Sequence, residues 1–305
     1  MSKDQYKKTV DLLLDILPMA LKDERVALKG GTAINLFHRD FPRLSVDIDL
    51  CYLPLENRET TFKNIHQILR DLQKSLESNL NLKVTVNGPF DEKKEIKLVA
   101  KNGNVEVKIE PNFTLRSSLF PVVDIDLTPK AATDFQKNVT ARCLNLADTY
   151  GGKICAALDR QHPRDLFDIK FLLDYEGFTT DVKDSFLFYL ISHNRPINEL
   201  LNPNFKDISR EYRDEFLEMA QITISLDELT KYRMKLVEEI NKSLTVKDKE
   251  FLISFVSNTP DWTLVRDNKI QNYPSVQWKL QNQEKMSTKK SEEYKNELKK
   301  VLGIF

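Results

Sequence analysis

The chain has 305 residues, 41% hydrophobic and 30% charged, and its 46 basic residues equal its 46 acidic ones. That length supports one large or two modest domains with a real core, and the composition is that of a globular protein, not a disordered or collagenous one. Zero formal net charge supplies no global field for nucleic acid, so any RNA contact needs a basic patch that the fold builds. Three cysteines, Cys51, Cys143 and Cys155, with no CxxC among them, point to buried thiols in a reducing cytoplasm and away from a disulfide framework or a zinc site. The N-terminal stretch MSKDQYKKTVDLLLDILPMALKDE is charged and interrupted by Asp11, Asp15 and Pro18. It is expected to be neither a signal peptide nor a membrane span.

In chain order, residues 5–22 read as a helix with Val10, Leu13, Leu14, Leu17 and Leu21 on one stripe, kinked or ended by Pro18. Val26-Ala27-Leu28 is a short apolar strand. Gly30-Gly31-Thr32 follows at once, and Ala33-Ile34-Asn35-Leu36-Phe37 opens a helix. Glycines let the backbone approach a bound group closely, and free N–H groups at a helix start attract anions, phosphate above all. Ser45–Leu50 then reads as a strand in which Asp47 and Asp49 share one face while Val46, Ile48 and Leu50 point into the core. Two carboxylates so placed repel each other unless a cation sits between them. A phosphate cradle beside a carboxylate pair suggests nucleotide chemistry with Mg²⁺.

Residues 57–79 form a long amphipathic helix with a Phe62, Ile65, Ile68, Leu69, Leu72, Leu76 stripe, on which His66 is expected at the solvated rim. Strands follow at Leu82–Val86, Glu95–Ala100 and Asn104–Ile109, the last two joined by the Lys101-Asn102-Gly103-Asn104 hairpin, where Asn-Gly supplies positive φ cheaply. Glu110 ends the third strand just before Pro111, and Glu106 shares its face. A second DxD, Asp124-Ile125-Asp126, has no glycine turn before it and reads as the polar face of an ordinary strand.

The segment Ala147–Lys170, ADTYGGKICAALDRQHPRDLFDIK, contains the second glycine pair, Gly151-Gly152. A helix carries Lys153 and Arg160 near one face, Pro163 breaks it, and the next helix places Asp165 and Asp168 at i and i+3. Lys153 is expected near a rim, where it does not hold a core. Beyond Thr180 the chain reads as helical. Trp262 and Trp278 are expected as core anchors, and the lysine- and glutamate-rich tail from Gln281 to Lys300 as a solvated helix.

GG[ST], a helix, then DxD on the next strand is the nucleotide-binding pattern of the polymerase-β-like nucleotidyltransferases. The version here, GGTAINLFHRDFPRLSVDIDL with Arg43 and Ser45 just ahead of the aspartates, resembles the AbiEii family of toxin nucleotidyltransferases. The pattern K-x6-R-x3-RD-x2-D from Lys153 to Asp168 resembles that family's later motifs. LISHNRPINELLNP, FLISFVSNTPDW and VQWKLQN extend the likeness over nearly the whole chain. The resemblance implies an α+β fold, with a polymerase-β-like mixed sheet and flanking helices in a nucleotidyltransferase domain over 1–143. A helical C-terminal domain over 144–305 would contribute lysine and aspartate site residues.

The implied activity is that of a cytoplasmic toxin that moves a nucleoside monophosphate from an NTP to an acceptor, with a tRNA 3′ end as the natural acceptor and a cognate antitoxin as partner. Gly30, Gly31 and Thr32 would bind the β- and γ-phosphates, with Lys29, Ser45, Arg160 and Arg164 completing the nucleotide-binding set. Asp47 and Asp49 would hold Mg²⁺ or Mn²⁺, and Glu110, with Glu106 as fallback, would complete a two-metal site. Lys153 would neutralise the triphosphate, and Asp165 or Asp168 would orient Lys153 or act on the acceptor hydroxyl. The nearest alternative keeps the fold and nucleotidylates a protein; a further one is a catalytically inert NTP-binding module. Four histidines with no HD or HxH pair argue against a histidine-based hydrolase.

Overall fold

The computed structural model describes residues 2–88 and 94–304. The chain divides into two compact units, Met1–Thr149 with Arg213–Thr223, and Tyr150–Tyr212 with Ile224–Phe305. The division falls a little beyond the expected 143/144 boundary, and a short segment from late in the chain belongs to the first unit.

The first unit is built on a seven-stranded mixed sheet: β1 (Val26–Lys29), β2 (Asp47–Tyr52), β3 (Lys83–Asn87), β4 (Lys97–Asn102), β5 (Val105–Asn112), β6 (Val123–Asp126) and β7 (Thr140–Cys143), in spatial order β3-β4-β5-β2-β1-β7-β6. The β2–β5 and β1–β7 pairs are parallel and the others antiparallel. With its flanking helices this is an α+β fold. Alternation along β2 and β5 explains why: Ile48, Leu50, Val107 and Ile109 are fully buried, while Asp47, Asp49, Lys108 and Glu110 take the other face.

The Lys3–Ala20 helix packs on the buried face against β5, β2 and β7, and the Arg58–Asn79 helix packs on β3 and β4. Ser2 and Asn57 cap them by accepting from the backbone N–H groups of Gln5 and Thr60. The first helix runs on through Pro18 and stops two residues later. His66 is not at a solvated rim. It is fully buried beside Phe62 and Phe113, with Nε2 2.9 Å from the Lys94 carbonyl oxygen. Its place one turn after Phe62 puts it on the apolar stripe itself.

The hairpin turns one residue later than expected. Asn102 pairs with Val105, so Gly103 and Asn104 are its central residues. Gly103 has φ +56°, the position a II′ turn gives to glycine. Strand β5 also runs through Pro111 to Asn112, because β2 pairs with it as far as Cys51↔Asn112. Glu110 therefore lies inside the ladder. Asp124 and Asp126 sit exposed on β6 at the sheet edge, as expected of an ordinary polar face.

Arg213–Thr223 pins the loop that leads into β2. Leu44 N–H donates to the Met219 carbonyl at 2.8 Å and Gln221 N–H to the Pro42 carbonyl at 2.9 Å, and Met219 is buried in the core of the sheet unit.

The second unit is helical, with its longer helices at Pro163–Tyr175, Thr180–Ser192, Leu226–Ser243, Val246–Val256, Pro274–Glu284 and Thr288–Leu302. Trp262 packs on Phe251 and Phe255, with ring centroids 5.6 and 6.3 Å apart. Trp278 does not anchor the core: it is 44% exposed, with Lys285 over its ring. The Thr288–Leu302 helix buries only Leu298 and Leu302, in keeping with a solvated tail. Among the described residues no helix is long and apolar enough to cross a membrane.

Candidate active site

Strand β1 ends at Lys29, and the chain turns at once through Gly30–Thr32 into a π-helical segment, Ala33–His38. Gly30 has φ +74°, and a Cβ there would collide with the Asp49 carboxylate. At Gly31 a Cβ would stand 2.8 Å from an Arg43 guanidinium nitrogen and 2.9 Å from Ser45 Oγ. The positive φ of Gly30 favours glycine there, and at both positions side chains of the β2 approach come within contact of the turn's backbone. Thr32 is fully buried. Its hydroxyl donates to the Asp47 carbonyl at 2.6 Å and lies 3.0 Å from Ser45 Oγ. This side chain clamps the turn to the start of β2, and Asn35 adds a 2.9 Å bond to the Gly31 carbonyl. The structure thus brings Lys29, Gly30, Gly31, Thr32, Ser45, Asp47 and Asp49 together in one small region.

Register does the rest. Lys29 pairs with Asp49 across β1–β2, and Asp49 pairs with Glu110 across β2–β5. Residues paired in register share a face, so Asp47, Asp49 and Glu110 lie on the same side of the sheet. Glu110 is not turned to the aspartates alone: its Oε1 accepts from Lys97 Nζ at 2.8 Å. That bond, with Asp47 adding to it, holds the Lys97 ammonium above the usual lysine range. Lys97 is the residue that sequence reading missed. The hairpin carried the signal: with Asn102 opposite Val105, counting back along both strands sets Lys97 opposite Glu110.

Carboxylate oxygens suit Mg²⁺ or Mn²⁺, and Asp47 and Asp49, on one face of β2 beside the Gly30–Thr32 turn, fit as a ligand pair. Among the described residues no three histidine, cysteine or acidic side chains gather as a ready ligand cage. Glu110 stands in the right row but is engaged by Lys97, and Glu106, the fallback, pairs with Lys101 at 2.9 Å.

The later motif forms its own cluster in the second unit. Lys153, on the Leu146–Asp159 helix, is 7% exposed, so it does not stand at a rim. Its Nζ lies 2.9 Å from Asp165 Oδ1 and 3.0 Å from Asp168 Oδ2, and both carboxylates are buried. Arg160 Nε also donates to Asp165 Oδ2 at 2.5 Å. Burial opposes ionisation of Asp165, but Lys153 and Arg160 outweigh it and hold the carboxyl well below the usual range. Asp165 and Asp168 therefore share the task of holding Lys153. Arg164 lies beside His162, whose ring caps the Pro163–Tyr175 helix by accepting from the Arg164 N–H. Gly151 serves packing: a Cβ there would lie 2.7 Å from Ser185 Cβ on the Thr180–Ser192 helix.

A glycine turn seated on a carboxylate strand of a mixed sheet is the framework of a nucleotidyltransferase. The chain belongs to the AbiEii family, described as nucleotidyl transferase AbiEii toxin of type IV toxin–antitoxin systems, whose match spans residues 11–282. Among solved structures it is similar to MenT4, a nucleotidyltransferase toxin from Mycobacterium tuberculosis H37Rv, with a TM-score of 0.62 at 12% identity, covering 81% of this chain and 87% of that one. At that identity the likeness bears on the fold. No curated protein matches the chain. Membership makes the chain a nucleotidyltransferase toxin that uses an NTP and implies a cognate antitoxin.

Proposed function

We propose that this toxin transfers a nucleoside monophosphate from an NTP to the 3′ hydroxyl of tRNA with the help of Mg²⁺ or Mn²⁺. The observation that carries the reading is the contact of the Gly30 backbone with the Asp49 carboxylate, with Asp47 on the same strand face. That contact seats the glycine turn against the carboxylate pair, which supports reading them as a phosphate site and a cation site side by side. In the reaction the acceptor oxygen bonds to the α-phosphorus, the α–β phosphoanhydride bond breaks, and pyrophosphate leaves.

Gly30 and Gly31 present the backbone to the phosphates, and Lys29 and Arg43 supply positive charge beside them. Ser45 and Thr32 keep the turn seated on β2 through their hydroxyls. Asp47 and Asp49 would hold the divalent ion, which when bound supplies charge stabilisation for the attacking and leaving oxygens. The Lys153–Asp165–Asp168 group, with Arg160 and Arg164, serves the same reaction in this reading, on the strength of its motif. Asp165 and Asp168 hold the Lys153 ammonium in place for that task.

The test is incubation of purified protein with each α-³²P-labelled NTP, Mg²⁺ and total tRNA, with Asp49→Ala alongside. Label on tRNA that vanishes in the variant is the expected result and names the base. Label on protein in its place moves the acceptor to a protein, with the antitoxin as the first substrate to try. No NTP-dependent label on RNA or protein overturns the assignment of the acceptor class.

A further inference from the structure

Residues of the Pro274–Glu284, Ile197–Leu201 and Thr288–Leu302 helices border a cavity of about 360 Å³ in the helical unit. Sites for small molecules begin at about 300 Å³, so it has room for one small ligand. Gln283 lines it and is 8% exposed, and neither its amide oxygen nor its amide nitrogen meets a hydrogen-bonding group. Among the described residues no other side chain has both atoms of an amide in that condition. Asn198 Oδ1, on the same cavity, lacks a partner too, while Asn198 Nδ2 donates to Glu297 at 3.0 Å. A buried donor or acceptor left unmade costs stability, and a ligand that bonds these atoms removes the cost. One helical turn before Gln283, Lys279 donates to the His193 and Arg195 carbonyls at 2.6 Å each. That uses two of the three N–H groups of an ammonium. Trp278 lines the same cavity and is 44% exposed, with Lys285 Nζ 5.8 Å from its ring centroid.

An amide whose donor and acceptor both lack partners matches a ligand with an acceptor beside a donor. Nucleobases carry that pair on a flat edge, which an Asn or Gln side chain bonds with both atoms, and their faces stack on tryptophan. We propose that this cavity binds a nucleobase: Gln283 bonds its edge through both amide atoms, Lys279 adds a donor, and Trp278 takes its face. Gln283 has three rotatable side-chain bonds, so its amide can turn onto that edge. Glu293 and Glu297 border the cavity, exposed and one helical turn apart. Carboxylates accept from ribose hydroxyls and repel phosphates, so the piece that fits is a base with its ribose, and a triphosphate is turned away. A free nucleoside and an unpaired base of an RNA strand share this chemistry, and the experiment separates them. The site lies within the helical unit and does not rest on the reading of Asp47, Asp49 and the glycine turn.

The experiment is titration calorimetry of the purified full chain, without NTP or metal, against adenosine, guanosine, cytidine and uridine up to their solubility, and against a short single-stranded RNA containing all four bases. Wild type is compared with Gln283→Met, Trp278→Ala and Asp49→Ala. Gln283→Met keeps the side-chain volume and removes both amide atoms. It should fold, with a thermal midpoint equal to or above that of wild type, and weaken binding about tenfold or more. Trp278→Ala, at an exposed position, should weaken it about tenfold. Asp49→Ala should bind as wild type does, which separates this cavity from the NTP site. In wild type the ligand should also quench Trp278 fluorescence, a change absent from Trp278→Ala, where Trp262 is the remaining tryptophan. A nucleoside that binds with this pattern supports the inference and makes the free nucleoside the source. Binding of the RNA alone, with the same pattern, supports it and makes an RNA base the source. No binding of nucleoside or RNA by wild type, or binding unchanged in Gln283→Met or in Trp278→Ala, overturns it. Binding lost in Asp49→Ala and kept in Gln283→Met assigns the ligand to the glycine turn and overturns it as well.

Discussion

The Lys153 ammonium lies against two carboxylates that are shut away from water. Breaking a buried ion pair by removing one partner costs about 3–5 kcal/mol, because the charge left behind has no counter-ion. Lys153→Ala should therefore lower the unfolding free energy by an amount of that order, read as a fall in the urea midpoint, and an unchanged midpoint would show that water reaches the aspartates. The acid side follows the same pair. The folded-state carboxyl of Asp165 is lowered by Lys153 and Arg160 against the cost of burial. Its stabilisation is thus full above the ordinary aspartate range, near pH 4, and is lost as the pH falls through and below it. An Asp165→Asn variant should flatten that acid limb. Sequence spacing carried the three residues and their order. It did not carry their burial, which is set by helices that pack over them.

At the level of elements, the neighbouring glycines of the Leu146–Asp159 helix make opposite predictions. A Cβ on Gly151 would meet Ser185 Cβ at 2.7 Å and the Ser185 carbonyl carbon at 2.8 Å. Backbone cannot swing aside, so Gly151→Ala should push the two helices apart and cost about 1–3 kcal/mol. A Cβ on Gly152 would meet only the Tyr189 ring, at 3.4 Å. Gly152→Ala should be neutral or gain up to about 1 kcal/mol, because alanine favours a helix interior. Thermal melts of both variants check the sign. A doubled glycine in a glycine-poor chain signalled close approach, and the structure shows close approach, to a helix and at one of the two positions. The Lys101–Asn104 hairpin was legible for the same reason: turn chemistry is local. Its register, and so the Lys97–Glu110 pair, needed the turn placed to one residue.

For the whole molecule, the buried thiols set the alkaline limit. Burial pushes Cys51 up to about 11 and Cys143 up to about 12, raises Cys155 further, and lifts the Tyr294 hydroxyl to about 12. An unfolded thiol ionises near about 8.5. Between these values the folded chain keeps protons that the unfolded chain has lost, so stability is full below about pH 8.5 and falls as the pH rises towards 11. Lys279, lowered to about 8 by burial, acts in the opposite sense as a single group. Urea midpoints should therefore fall between pH 8 and 10.5. Replacing the three cysteines by alanine should flatten that fall, and an unchanged slope would assign it to other groups.

The sequence by itself determined the glycine turn, the same-face pair Asp47 and Asp49, the amphipathic stripes that cover the sheet, and the family to which they belong. Each of these is written in residues a few positions apart, where backbone geometry alone decides which side chains meet. Only the tertiary structure decided that Thr32 clamps β2, that His66 lies in the core, and that Lys153 is buried between two aspartates. It also decided that a late segment, Arg213–Thr223, steadies the loop before β2, and that Lys97 pairs with Glu110. Those facts depend on partners far apart in the chain, and no local propensity reports which distant strand or helix will arrive beside a given side chain.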